Sequence, residues 1–203
     1  MLIEIASDVI CPWCYIGKRR LEKALAGLKG EIETRIEWLP FQLNPQMPAA
    51  GVARAEYRRA KFGSLERGRE LDARVAQEGA GEGILFAFDR MERTPNTLAA
   101  HGLIDLAQSQ GKADPVVDAL FRAYFEEARD IGDPSVLKDI AGLEGVAGWP
   151  EDKNDEAVRQ NELRVRDLGI SGVPTFIFDR KTGISGAYPP DILLRTIRGL
   201  KAA

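Results

Sequence analysis

The chain has 203 residues, 44% of them hydrophobic, enough to bury a large core without disulfide staples. Its formal net charge is −3 and no basic stripe runs through it, which argues against nucleic acid as a partner. No apolar run approaches the ~20 residues of a membrane span. Met1 leads straight into a strand-like stretch without the features of a signal peptide, so no membrane contact and a cytoplasmic location are expected.

Leu2 to Ala6 reads as a short strand, with Ile3 and Ile5 on one face and Glu4 on the other. Gly17 to Leu28 reads as a helix, with Leu21, Leu25 and Leu28 at helical spacing. Between them lie the chain's two cysteines, in Cys11-Pro12-Trp13-Cys14. The pair therefore sits where a strand hands the chain to a helix. A thiol at a helix N-terminus feels free N–H groups and the positive end of the dipole, both of which favour the thiolate. The thiolate is the nucleophile of thiol–disulfide exchange. Pro12 fits the first helical position, where no N–H is needed. Cys11 is then expected to cap the helix and face solvent, with Cys14 one turn inward on the same face.

Zinc is disfavoured as an explanation of the pair. A structural site wants four ligands, and the chain offers two cysteines and the single distant His101, so no metal is expected. A structural disulfide is a weaker alternative, because such bonds usually staple small secreted domains. Dithiol redox chemistry is the leading reading, with both thiols mostly reduced at rest in a cytosol.

Further along, Ile32 to Phe41 alternates as a second strand, with Ile32, Ile36 and Trp38 inward. Gln42 to Gly51 reads as a loop, and Ala53 to Gln77 as charged helix, on which Arg54, Arg58, Arg59 and Lys61 look like a solvated face. Gly83 to Phe88 fits either an extended or a helical segment. Pro95-Asn96-Thr97 opens an amphipathic helix ending near Gly111. Asp114-Pro115 and Asp133-Pro134-Ser135 open two more, and Glu151 to Leu168 a fourth, closed by Gly169. Strand character returns at Val173 to Phe178 and at Ile184 to Ala187, after which Pro189-Pro190-Asp191 starts a last helix. The order is βαβ, a helical insertion, then ββα: one α/β layer structure interrupted once.

At this point the chain resembles the DsbA-like members of the thioredoxin superfamily, and more closely their FrnE-type subfamily of cytosolic thiol oxidoreductases. The matching stretches are Asp8 to Gly17, Pro40 to Pro45, Pro95-Asn96-Thr97 with Ala100-His101, Phe121 to Phe125, Asp130 to Pro134 and Gly169 to Phe178. The resemblance implies a thioredoxin fold with a large all-helical insertion. The thioredoxin-like part would comprise residues 1–50 and 170–203, and the insertion residues 51–169. It implies that Cys11 attacks and Cys14 resolves, and that Pro174 is a cis-proline beside the pair. A cis peptide there would turn the Val173 backbone toward an extended substrate chain. The residues alone allow a plainer reading, in which Pro174 merely starts a strand.

Pro12, Trp13, Val173, Pro174, Asn96, His101 and Tyr188 are the candidate substrate-contacting residues. For several of them a structural role competes. His101 suits a hydrogen bond within the insertion, and Asn96 suits a helix cap. Trp13 stands where the oxidising periplasmic members carry histidine, so a less oxidising couple is expected. Ile5 stands where those members bury a glutamate. That leaves the proton acceptor unassigned, with Asp8 as a candidate whose commoner job is turn-making. Tyr188 replaces a commoner glutamine in Gly186-Ala187-Tyr188-Pro189-Pro190, a loop bordering the thiol site in this fold.

The expected activity is thiol–disulfide exchange on a protein or small thiol, including glutathione, with no cofactor required. One alternative is a glutathione-dependent enzyme related to 2-hydroxychromene-2-carboxylate isomerase and the kappa-class glutathione transferases. Those carry serine at the position of Cys11. Another is a chaperone-like module that binds peptides. A monomer and a homodimer both fit the sequence.

Overall fold

The computed structural model describes residues 1–28 and 30–202. Strand β1 (Leu2–Ser7) runs into helix α1 (Pro12–Ala26), which crosses over to β2 (Arg35–Pro40). β1 and β2 pair in parallel, Leu2 opposite Arg35 and Ser7 opposite Pro40, a pairing that needs such a crossover. After a long helical stretch the chain returns as the antiparallel hairpin β5 (Thr175–Phe178) and β6 (Thr182–Ser185), followed by α8 (Pro190–Ala202). β5 pairs antiparallel with β1, Ile3 opposite Phe178, giving the sheet order β2-β1-β5-β6. The early and late parts of the chain thus meet at β1 and β5, as the βαβ…ββα reading requires.

The elements between them are α2 (Arg54–Phe62), α3 (Leu65–Gly81), α4 (Leu98–Ser109), α5 (Ala113–Phe125), α6 (Pro134–Leu143) and α7 (Asp155–Asp167). The insertion is not wholly helical. Two short strands, β3 (Val52–Ala53) and β4 (Arg93–Thr94), form an antiparallel ribbon that closes the α2–α3 hairpin at its base. Two-residue strands carry no alternation for a sequence to show. The single charged helix read from Ala53 to Gln77 is broken at Gly63, whose φ of 84° is left-handed. Gly83 to Phe88 has no regular structure; Phe86 and Phe88 stack with centroids 4.6 Å apart and meet Phe125 edge-on.

Alternation along β1 sets the two faces of the sheet. Ile3 and Ile5 enter the main core with Leu21 of α1, Leu193 of α8, Leu103 of α4 and Phe121 of α5. Ala6, on the other face, packs with Phe41 and with Val165 of α7. The core runs without interruption from the sheet into the inserted helices. α7 also clamps the chain leaving β2: Glu162 accepts from the Gln42 N–H at 2.9 Å and Arg166 donates to the Gln42 carbonyl at 2.7 Å. That clamp fixes Leu43, one wall of the region described next.

Candidate active site

α1 starts earlier than its periodicity suggests. Its first helical residue is Pro12, and Cys11 is the N-cap, with extended backbone angles (φ −91°, ψ 111°). The leucine spacing misses the first turn because that turn carries Pro12, Trp13 and Cys14 instead of an aliphatic stripe. The turn is set by Asp8, whose carbonyl accepts from the Cys11 N–H at 2.9 Å, while the Cys11 carbonyl accepts from the Cys14 N–H at 3.0 Å. Both cysteines are free thiols.

Cys11 was expected to face solvent, and it does not: it is 5% exposed. The reason is the loop before β5, which covers it. The Val173–Pro174 peptide is cis, and the Val173 carbonyl lies 3.7 Å from the Cys11 Sγ. Thr175 braces this loop by donating to the Gly172 carbonyl at 2.8 Å. Gly17 of α1 has no side chain to hold the loop off: a Cβ there would stand 3.0 Å from Pro174 Cγ and 3.1 Å from the Phe176 ring. Val173 and Pro174 are thus brought to the thiols from far along the chain.

Cys14 is 2% exposed and lies deeper than Cys11. Burial pushes its thiol well above the usual range, and the neighbouring Cys11 adds to the rise. The Ser7 hydroxyl and the Asp8 backbone pull the other way without overcoming it.

Asp8 is fully buried. Its carboxylate accepts from the Leu43 N–H at 2.7 Å and the Ile10 N–H at 3.5 Å, and lies 3.5 Å from His101 Nε2. It therefore ties the cysteine turn to the loop after β2 and to α4. Glu4 points to the opposite side of the strand and pairs with Arg180 at 2.9 Å.

Cys11, Pro12 and Trp13 form one end of a cavity of about 460 Å³, whose other end lies among α2 and α3. Trp13 is 38% exposed at this place. Arg54 and Arg58, expected on a solvated face, are instead largely enclosed: their side chains are 11% and 14% exposed. Both bind Asp72 of α3, Arg54 at 3.1 Å and Arg58 at 2.5 Å, and Arg58 also donates to the Gly68 carbonyl at 2.6 Å. Their guanidinium groups lie on aromatic rings, Arg54 on Phe88 and Arg58 on Phe62. Arg59 and Lys61 are exposed, as read. Gly68 was the missed signal: a glycine inside a helical run that leaves room for Arg58 Nε, 3.2 Å from where a Cβ would be.

The remaining candidates lie elsewhere. Asn96 donates to the Met47 carbonyl at 2.6 Å and accepts from the Leu98 N–H at 2.9 Å, a side-chain turn just before the Thr97 N-cap of α4 and so a structural role. His101 is 4% exposed and lines a separate small void with Ser7 and Trp38. Tyr188 is 45% exposed on the β6–α8 loop and is not part of the cavity wall. Among the described residues no group of His, Cys, Asp and Glu side chains is arranged to hold a metal. No described helix is long and apolar enough to cross a membrane.

A dithiol on the first turn after a parallel strand, faced by a strand-opening cis-proline, places the protein among those of thioredoxin fold. The chain belongs to the DSBA-like thioredoxin domain family, whose model matches residues 2–198. It is similar to a probable DsbA oxidoreductase from Streptomyces coelicolor, with 30% identity, a TM-score of 0.88, and 98% of this chain and 89% of that one covered. The cytosolic disulfide reductase DsbM from Pseudomonas aeruginosa shares the fold at 19% identity and a TM-score of 0.73, with both chains fully covered. The uncharacterized protein YwbO of Bacillus subtilis is 26% identical over 206 residues, covering 96% of this chain and 94% of its own.

Proposed function

We propose that the protein is a thiol–disulfide oxidoreductase of FrnE type that works in the cytoplasm through Cys11 and Cys14. The observation that carries this reading is the position of Cys11: a free thiol capping α1, 3.7 Å from the Val173 carbonyl and open to a cavity. The Cys11 thiolate attacks a substrate disulfide, releases one substrate thiolate and forms a mixed disulfide. Cys14 then gives up its proton, attacks the Cys11 sulfur and releases the second thiolate as the Cys11–Cys14 disulfide closes. Two electrons pass from the protein dithiol to the substrate, and the reverse sequence oxidises a dithiol. A buried Cys14 suits the second step, because it stays protonated until the mixed disulfide has formed.

The glutathione-dependent isomerase reading has less support, since it makes no use of a second thiol. P. aeruginosa DsbM has also been solved with glutathione, which supports testing small thiols beside proteins. The test is Cys14→Ala, incubated with cell extract and analysed for adducts on Cys11. Trapped disulfide-linked adducts, released by dithiothreitol and lost in Cys11→Ser, are expected. Absence of any adduct, with insulin reduction unchanged from wild type, would remove the proposal.

A further inference from the structure

The cavity beside Cys11 has a charge pattern that disulfide exchange alone does not require. Four cations line it, Arg54, Arg58, Lys61 and Arg74, against the single carboxylate of Asp72 among the described residues. Asp72 is shared by two arginines, so the wall keeps a positive excess. Arg58 is also incompletely satisfied: its Nε is buried and has no hydrogen-bond partner. That atom packs against Gly68, which does not line this cavity, so it is the excess of positive charge that would draw an anion here. Burial, with Arg54 nearby, pulls the Arg58 guanidinium below its ordinary value despite Asp72, and an arriving anion would reverse that. The rest of the wall is apolar and aromatic, with Phe62, Phe88 and Val75 among its residues. The volume suits a small molecule rather than a polypeptide segment.

We propose that this cavity selects a small disulfide whose aromatic or apolar body carries a carboxylate or similar anionic group. The anion binds at Arg58 and Lys61, the body lies against Phe62 and Phe88, and a sulfur is presented to Cys11. The inference rests on the oxidoreductase reading and names the substrate class of the same site. The chemistry balances as above: the reduced protein supplies two electrons, and the aryl disulfide leaves as two arylthiolates.

Single-turnover kinetics of the pre-reduced protein test it. The anionic probe is 5,5′-dithiobis(2-nitrobenzoate), and the neutral aromatic probe is 4,4′-dithiodipyridine. Each rate is divided by that of free dithiothreitol to remove the probe's own reactivity. The normalised anionic-to-neutral ratio is expected to exceed one in the wild type, and to fall about tenfold in Arg58→Gln, as expected for one lost charged contact. Lys61→Gln, at an exposed position, is expected to lower it too and serves if Arg58→Gln fails to fold. Lys138→Gln on α6, outside the cavity, controls for general charge steering and should leave the ratio as it is. A wild-type ratio near one, an unchanged ratio in a folded cavity variant, or an equal fall in Lys138→Gln would overturn the proposal. The oxidoreductase reading fails separately, if Cys11→Ser still releases both arylthiolates from the neutral probe at the wild-type rate.

Discussion

Gly17 of α1 lies against the ring of Pro174, so close that a Cβ on residue 17 would stand 3.0 Å from Pro174 Cγ. The same Cβ would meet the Phe176 ring at 3.1 Å, and Phe176 is fully buried. Neither neighbour is the free end of a flexible chain, so neither can yield cheaply. A residue chosen for helix propensity would be alanine; here the proximity of the β5 loop decides instead. Gly17→Val is expected to destabilise the protein by about 2–3 kcal/mol, the usual cost of overpacking a tight core. It should also slow disulfide exchange by displacing Val173 from Cys11. Urea unfolding and insulin reduction measure the two effects. Wild-type values in both would show that this contact does not position the loop.

The two thiols differ in access, and burial acts further on Cys14. Cys11 lines the cavity and Cys14 does not, and burial holds the Cys14 thiol well above its usual value. Limiting iodoacetamide near neutral pH is therefore expected to label Cys11 at least ~10-fold faster than Cys14, because only the thiolate reacts. Mass spectrometry of the peptide holding both residues, on the native protein, reads the ratio. Labelling of both at one rate would contradict the asymmetry on which the resolving role of Cys14 rests.

How much of this was legible in the sequence depended on the range of the signal. β1 and the helix starts at Asp133-Pro134 and Pro190 were marked by local alternation and caps and stand where the pattern put them, whereas the second strand of the returning hairpin, read at Ile184 to Ala187, lies two residues earlier, at Thr182–Ser185. Cys11 and Cys14 were marked by their spacing. The approach of Val173 to Cys11 joins residues at opposite ends of the chain and came only through the family resemblance. Arg54 and Arg58 looked solvated because charge density along α2 says nothing of what α3 brings to face it. Only the fold sets Asp72, Gly68 and Phe88 against them. The burial of Cys11 was missed for the same reason.

Asp8 offers a test of structural against catalytic work by a buried carboxylate. Its oxygens serve the Leu43 and Ile10 N–H groups, and no solvent reaches it. Asp8→Ala strands at least the Leu43 N–H and opens a small void. The expected loss is about 2–4 kcal/mol by urea unfolding. Asp8→Asn keeps an acceptor for Leu43 and should recover part of that loss. If Asp8→Asn instead matched wild type in stability while exchange slowed markedly, the carboxylate would be a proton acceptor for the thiols and not chiefly a brace.

Tyr124, 2% exposed on α5, makes the pH dependence of stability specific. Burial raises its phenol from 10.0 to about 12, although the Arg54 charge and the nearby Thr94 hydroxyl oppose the rise. A raised value means the folded state keeps the proton after the unfolded chain has lost it. The contribution is therefore intact below about pH 10 and is lost as pH climbs toward 12, by about 2–3 kcal/mol in all. Tyr124→Phe removes that loss together with the hydrogen bond from the hydroxyl to the Arg93 carbonyl, 3.3 Å long. At neutral pH the variant is expected to be about 1 kcal/mol less stable than wild type. Above about pH 11 the order should reverse, because only the wild type has the Tyr124 phenol to ionise, while buried Tyr15 is common to both. Urea midpoints measured across that range would show the crossing, and parallel curves would mean that the Tyr124 phenol titrates as an exposed one does.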